Sequence, residues 1–191
     1  MLAHNARLKA WIPYWRSTVK ADGRFKGGTF KPDSSKTYNV RVTDKLWLHK
    51  NYKKKIFKAI KKSPLNEEPG FLDSGLLFYL LPDLVASLTE EDYETYLKST
   101  FYKPLGAHTI TYNAYQHFPL DKIIPTENDT FFRMSQLHGT VHDEGAAMMG
   151  GVSSNAGLFG SANDSAKLLQ MYLNKGTYGG KCNASHHKYL C

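Results

Sequence analysis

The chain has 191 residues, 41% of them hydrophobic and 13% aromatic, which suits one globular domain or a large piece of one. No run of roughly 18 apolar residues occurs, so no membrane span is expected, and the start at Met1–Arg7 has no apolar signal core. The formal charge of +8 is unevenly spread: residues 1–66 carry 17 Lys/Arg against Asp22, Asp33 and Asp44 (net +14), and the remainder carries 8 against 14 acids (net −6). A basic half suits an anionic surface, a nucleic acid or an acidic partner domain. No nucleic-acid motif accompanies it, so no nucleic-acid partner is assigned.

Residues 2–12 read as the start of a helix, with Leu2, Leu8, Trp11 and Ile12, interrupted at Pro13. Residues 20–37 are rich in Gly, Lys, Asp and Ser and read as an exposed loop. Tyr38–Leu48 alternates weakly through Tyr38, Val40 and Val42, as a short strand or extended segment does. Lys53–Lys62 predicts a basic amphipathic helix, with Ile56, Phe57 and Ile60 on one face, ended by Ser63-Pro64. Pro69-Gly70 marks a turn.

Leu76–Leu88 is apolar nearly all round and predicts a buried helix, kinked or divided at Pro82. Thr89 followed by Glu90, Glu91 and Asp92 predicts a helix start with Thr89 as N-cap, burying Tyr93, Tyr96, Leu97 and Phe101. Residues 107–135 read as a long irregular excursion. Ser161 caps a last helix through Leu168, Leu169, Met171, Tyr172 and Leu173, and Gly176 stands where a glycine cap belongs.

His138–Gly160 combines two histidines, Asp143, Glu144 and clustered glycines. Glycines beside titratable groups suit a loop lining a cleft. They equally suit a tight crossover with the polar groups as anchors. His142-Asp143-Glu144 offers an imidazole beside a carboxylate, the arrangement of a general base or of a structural hydrogen-bond anchor. His138 and His142 stand four apart but lack the Glu of a His-Glu-x-x-His site, and no metal or other cofactor is assigned. Ser17-x-x-Lys20 matches a pattern in which an amine activates a hydroxyl, although it runs into a loop. Tyr172-x-Asn174 matches a companion motif but falls inside a helix, where Tyr172 reads as core. The tail Cys182-x3-His186-His187-x3-Cys191 offers four ligand types at a spacing that is not a standard zinc pattern.

Taken together, Leu76–Leu81, Tyr93–Leu97 and Pro104-Leu105-Gly106 resemble the serine β-lactamase-like family, which includes class C β-lactamases, penicillin-binding DD-peptidases and related esterases. Gly139–Glu144, Gly150-Gly151-Val152, Ala156–Phe159 and Ala162-Asn163-Asp164 are similar to that family's GTVHDE…GGV…AGLF…AND block. Met1–Ala6 resembles the segment that follows its nucleophile helix. The wording is closest to the branch of Bacteroides-like bacteria, where such a domain is often fused to a family-3 glycoside hydrolase.

The resemblance implies an α/β fold of the β-lactamase/transpeptidase type, of which this segment would be mostly the helical domain, with little sheet of its own. It covers residues 1–180, leaving 181–191 as an unrelated tail. It also implies a serine hydrolase acting on a cell-wall peptide, an ester or a β-lactam, in the periplasm or cell envelope, without a cofactor. By that alignment the nucleophile Ser-x-x-Lys and the Lys-Thr-Gly strand both fall outside the sequence. The second motif falls on Asp73-Ser74-Gly75, where Asp73 replaces the usual Tyr and only Ser74 is kept. Asp73 and Ser74 are therefore the expected catalytic positions, and His142, Asp143 and Glu144 the expected substrate-binding wall. The expectation is an internal fragment that is inactive alone, with exposed apolar helix faces. The alternative is a catalytically silent module that binds wall fragments or a partner domain.

Overall fold

The computed structural model describes residues 3–179 and 181–182. In chain order it contains β1 (Phe30–Lys31), β2 (Tyr38–Thr43), β3 (Leu46–His49), α1 (Tyr52–Lys62), α2 (Leu81–Thr89), α3 (Tyr93–Leu97), β4 (Thr111–Tyr112), β5 (Glu127–Asp129), β6 (Ser135–Leu137), α4 (Glu144–Met148), β7 (Leu158–Phe159), α5 (Ala162–Leu173), β8 (Thr177–Tyr178) and β9 (Lys181–Cys182). They fall into two compact units: Met1–Pro82 with Asn113–Gly157, and Asp83–Tyr112 with Leu158–Cys191.

In the first unit, β2 and β3 form an antiparallel hairpin in which Arg41 faces Trp47, and β1 adds to the far side of β3 in the order β1-β3-β2. The alternation read at Tyr38, Val40 and Val42 is thus a real strand, and Val42 is buried against the core. α1 lays Tyr52, Ile56 and Ile60 into the same core while its lysines face outward, as the amphipathic pattern requires. Each such buried aliphatic side chain contributes about 1.5–3 kcal/mol. Ser63 is extended (φ −62°, ψ 130°) ahead of Pro64, and the helix ends there. The core is completed by Tyr14, Leu48, Leu76, Tyr79, Phe132, Val141 and the small residues of α4.

The expected helix over residues 2–12 is absent among the described residues. A short 3-10 turn at Tyr14–Thr18 stands after Pro13 instead. The preceding segment runs beside residues 66–75, with bonds from Asn66 N to Arg7 O (2.8 Å), Leu72 N to His4 O (3.1 Å) and Gly75 N to Ala10 O (3.1 Å). Its backbone groups are satisfied by another segment, so local helix propensity is overridden.

In the second unit, α5 packs Met171 and Leu168 against Tyr102, Leu105, Ala107 and Ile110. Its start follows the sequence: Ser161 Oγ accepts from Asp164 N at 3.2 Å. Asp164 ties this start to the preceding loop. It accepts from Thr109 N (2.8 Å), Thr109 Oγ1 (2.7 Å) and Lys167 Nζ (2.7 Å), and Lys167 also donates to Gly106 O (2.6 Å). The hydrogen bond from Lys167, aided by those from Thr109, holds the Asp164 carboxyl at about 2.

Other expectations need correction. Asp92, not Thr89, caps α3, accepting from Glu94 N and Thr95 N at 3.1 Å; Thr89 instead closes α2 through Val85 O, and left-handed Glu90 (φ +59°) separates the two helices. The apolar run from Leu76 is divided near Leu80, and Pro82 sits in the first turn of α2, where its missing N–H has no role. That run is also not buried throughout, since Leu84 is 50% and Leu88 75% exposed. At the end of α5, left-handed Lys175 (φ +54°) takes the position expected of glycine, while Gly176 N reaches Met171 O (2.9 Å) one residue later. Tyr172, read as core, is exposed beside Leu169 and Leu173. This uncovered face agrees with the expected exposure of apolar helix faces. No helix among the described residues is long and apolar enough to cross a membrane.

Candidate functional site

The two catalytic positions expected from the sequence lie side by side but differ in environment. Ser74 is buried; its Oγ donates to Lys9 O (2.7 Å), and its N–H donates to His4 Nδ1 (3.0 Å). The Asp73 side chain is 86% exposed and stands 3.3 Å from the same His4 Nδ1. Nδ1 accepts from the Ser74 amide, and Asp73 contacts the same ring from the solvent side. Ser74 thus ties the 4–10 segment to the 66–75 segment. An activated nucleophile needs a base in hydrogen-bond reach, whereas Ser74 Oγ donates to the Lys9 carbonyl and accepts from Leu76 N (3.4 Å).

Ser17 is occupied in a similar way. Its Oγ donates to Tyr14 O (2.7 Å) and shares a hydrogen bond with the Tyr52 hydroxyl (3.0 Å), while Lys20 is exposed beyond the extended Val19. The Ser17-x-x-Lys20 pattern therefore does not present the amine-hydroxyl pairing that its spacing suggests.

Beside Ser74-Gly75 lies a partly buried polar node that the sequence did not single out. The Tyr79 hydroxyl donates to Asp143 Oδ1 at 3.1 Å and also hydrogen-bonds the Asn155 side chain. Asn155 Oδ1 accepts from Ser153 Oγ at 2.5 Å, and Asn155 Nδ2 lies 3.4 Å from where a side chain on Gly75 would begin. Tyr14 stacks edge-on against Tyr79 with ring centroids 5.7 Å apart, and its buried hydroxyl has no hydrogen-bond partner among the described residues. Burial, reinforced by the Asp143 carboxylate, pushes both phenols well above their ordinary pKa and keeps them neutral donors. The network thus brings the Gly75 end of the expected motif and the Asp143 end of the His138–Gly160 stretch into one region.

Of the three expected wall residues, Asp143 is an anchor. It caps α4, accepting from Ala146 N at 2.6 Å as well as from Tyr79. Glu144 opens α4 partly buried, and burial raises its pKa above the usual range. The His142 side chain is exposed; its carbonyl accepts from Arg133. The imidazole-carboxylate pairing expected for a general base does not form the centre of this network, whereas the anchoring role describes Asp143 well. His138 is engaged through Nε2 with Ile123 O at 2.6 Å.

The glycines of this stretch act as close-packing points. A methyl group on Gly145 would stand 2.2 Å from the Tyr79 hydroxyl and 2.8 Å from its ring. One on Gly151, which has φ +84°, would stand 2.1 Å from Asn113 Oδ1.

A second built feature is the turn between β5 and β6. Asp129 accepts from the amides of Phe131 (3.0 Å), Phe132 (2.9 Å) and Arg133 (3.1 Å), and from Arg133 Nε (2.5 Å); both side chains are fully buried. Burial raises the Asp129 pKa, but Arg133 and the three amides outweigh it and hold the carboxylate below its ordinary value. Arg133 also donates to Val141 O at 2.9 Å, which ties the turn to the loop entering α4. The clamped turn forms one wall of a cleft of about 850 Å³. The facing wall carries Leu46, Lys45 and Arg41, whose guanidinium lies 3.7 Å above the Tyr115 ring. The acid-to-arginine spacing of four residues was the one signal of this clamp in the sequence; nothing local marked Tyr79 or Tyr14.

Among the described residues no group of three or more His, Cys, Asp or Glu side chains is placed to hold a metal ion. The tail residues His186, His187 and Cys191 lie outside the described residues, as does most of 181–191.

Curated proteins similar to this chain include three from Salmonella schwarzengrund, Salmonella newport and Salmonella enteritidis, each named "Putative D-alanyl-D-alanine carboxypeptidase" and each 36% identical over 155 residues. The matched region is 74% of this chain and 35% of each relative, so the chain spans about a third of the length of the curated relatives it matches. No family model matches the chain, and no solved structure matches it. The similarity to proteins so named is consistent with a penicillin-binding or β-lactamase-like family, in line with the expectation from the GTVHDE-type block.

Proposed function

We propose that this chain is part of a serine hydrolase of the β-lactamase/DD-peptidase/esterase class that acts on a cell-wall peptide in the envelope or periplasm, and that the chain alone is inactive. The observation that carries the reading is the 36% identity to proteins named as D-alanyl-D-alanine carboxypeptidases. In this reading the chain belongs to a β-lactamase-type fold and supplies its cleft wall. Ser74 keeps the second-motif position in register through Lys9 O, and the Tyr79–Asp143–Asn155 network holds that position against α4. His142 and Glu144 stand at the edge of the same network as substrate-contacting candidates. Inactivity alone is supported by the engagement of Ser17 and Ser74 with carbonyls and of Ser17 with a phenol. Fusion to a glycoside hydrolase is a further part of this proposal.

The test uses the 191-residue chain and a longer protein containing it. The longer protein is expected to release D-alanine from an acylated Lys-D-Ala-D-Ala peptide and to be labelled by a fluorescent penicillin. The chain alone is expected to do neither. A covalent penicillin adduct on the chain, mapped to Ser17 or Ser74, overturns the inactivity. Peptide binding by the longer protein without release of D-alanine favours the silent module instead.

A further inference from the structure

We propose that the outer face of α1, with the apolar side chains beside it, is a docking surface for an anionic lipid bilayer. The inference is independent of the hydrolase reading. α1 carries no acid, and its buried face is complete with Tyr52, Ile56 and Ile60. Lys54, Lys55, Lys58, Lys61 and Lys62 are left exposed, and none of the five is paired with an acid among the described residues. Packing does not require this charge density, since alternating charges would solvate the face equally well. Six like charges on eleven residues, Lys53 included, repel one another, and an external anionic surface relieves that repulsion.

The neighbouring segment adds a second feature. Leu65 follows the helix end by three residues and is 53% exposed; Phe71 is 73% and Trp11 60% exposed. These come from chain segments that are bonded together. Asn66, next to Leu65, accepts through Oδ1 from Lys9 Nζ (2.9 Å) and donates through Nδ2 to Leu8 O (3.0 Å). Arg7 donates to Asn66 O (2.7 Å) and Glu67 O (2.8 Å). Phe71 lies edge-on to His4, with ring centroids 5.5 Å apart. Lysines beside exposed Trp, Phe and Leu are what an interfacial site needs. The cations meet lipid head groups, and the aromatic and aliphatic groups enter the boundary with the acyl chains. A nucleic acid would use the cations but leave the apolar groups in water, and base recognition favours the planar fork of Arg over the point charge of Lys. Charge complementarity together with this apolar rim therefore favours the bilayer.

The test is co-sedimentation of the full chain with phosphatidylglycerol-containing vesicles, with phosphatidylcholine vesicles as comparison. Binding is expected only to the anionic vesicles and to weaken as salt is raised. Each surface lysine is worth about five-fold in affinity, so K54Q/K58Q/K61Q should bind roughly 100-fold more weakly. K54R/K58R/K61R should retain binding, which separates charge from folding. W11S/F71S should bind at least about ten-fold more weakly with the helix charge intact. Equal binding to phosphatidylcholine, no binding, or loss in the arginine variant overturns the proposal. So does duplex DNA that displaces the vesicles with W11S/F71S binding as the parent does, since the surface is then a general polyanion site.

Discussion

Replacing Gly145 by alanine tests the packing at the centre of the Tyr79 network. In an exposed helix the change would stabilise by about 1 kcal/mol, because alanine is the better helix former. Here the new methyl group lies 2.2 Å from the Tyr79 hydroxyl, 2.8 Å from Cζ and 3.1 Å from Cε1. The ring cannot swing aside freely: its hydroxyl is bonded to Asp143, its face meets Tyr14, and the residue is 7% exposed. Overpacking of this kind costs about 1–3 kcal/mol. The overlap outweighs the propensity gain, and a net loss of about 1–2 kcal/mol is expected, which lowers the melting temperature by about 2–4 °C per kcal/mol for a chain of this size. Urea unfolding followed by far-UV circular dichroism measures it. Y79F removes the oxygen of the shortest contact, so the double variant G145A/Y79F should lose less than the sum of the single changes. A Gly145→Ala chain as stable as the parent, or more stable, would falsify the packing account.

Other changes probe the remaining anchors. Arg133→Leu strips the partner from a fully buried carboxylate and should cost about 3 kcal/mol or more by urea unfolding, with D129N/R133L recovering part of the loss. If the single and double variants unfold alike, the clamp is not what holds the β5–β6 turn. Ser161→Ala removes the α5 N-cap and should cost about 1 kcal/mol in the same assay; an unchanged midpoint would mean that Asp164 N finds another acceptor. Asp164 gives a pH test. Its folded pKa of about 2 lies below the ordinary carboxyl value, so its contribution is fully present above about pH 4 and lost as pH falls towards 2. With solvent screening allowed for, about 1 kcal/mol should disappear across that window, and Asp164→Asn should flatten the dependence. Parent and variant curves that stay parallel from pH 5 to pH 2 would count against the Asp164–Lys167 link.

Much was legible in the sequence where the signal is local. The alternation at Val40 and Val42, the lysine-faced helix at Lys53–Lys62, and the Ser161 cap each depend on residues within one turn or one strand. The likeness to carboxypeptidase-named relatives is one of sequence and could be read without coordinates. Composition singled out the clustered glycines as either a cleft-lining loop or a tight crossover, without saying what they pack against.

Tertiary structure decided everything that depends on distant partners. Residues 4–10 are irregular rather than helical, with His4 and Arg7 left-handed, because segment 66–75 satisfies their backbone, a pairing across some sixty residues that no local propensity encodes. Asp92 caps α3 because Glu90 turns left-handed and hands Thr89 back to the preceding helix. Tyr79 became a central residue, and Asp143 an anchor, because the fold brings positions 64 apart to hydrogen-bond distance. Ser74 had the right residue type at the expected position, but its hydroxyl is turned to Lys9 O. Residue identity sets which chemistry is possible; only the three-dimensional arrangement decides which partner each hydroxyl and carboxylate meets, because that energy depends on distance and burial rather than order along the chain.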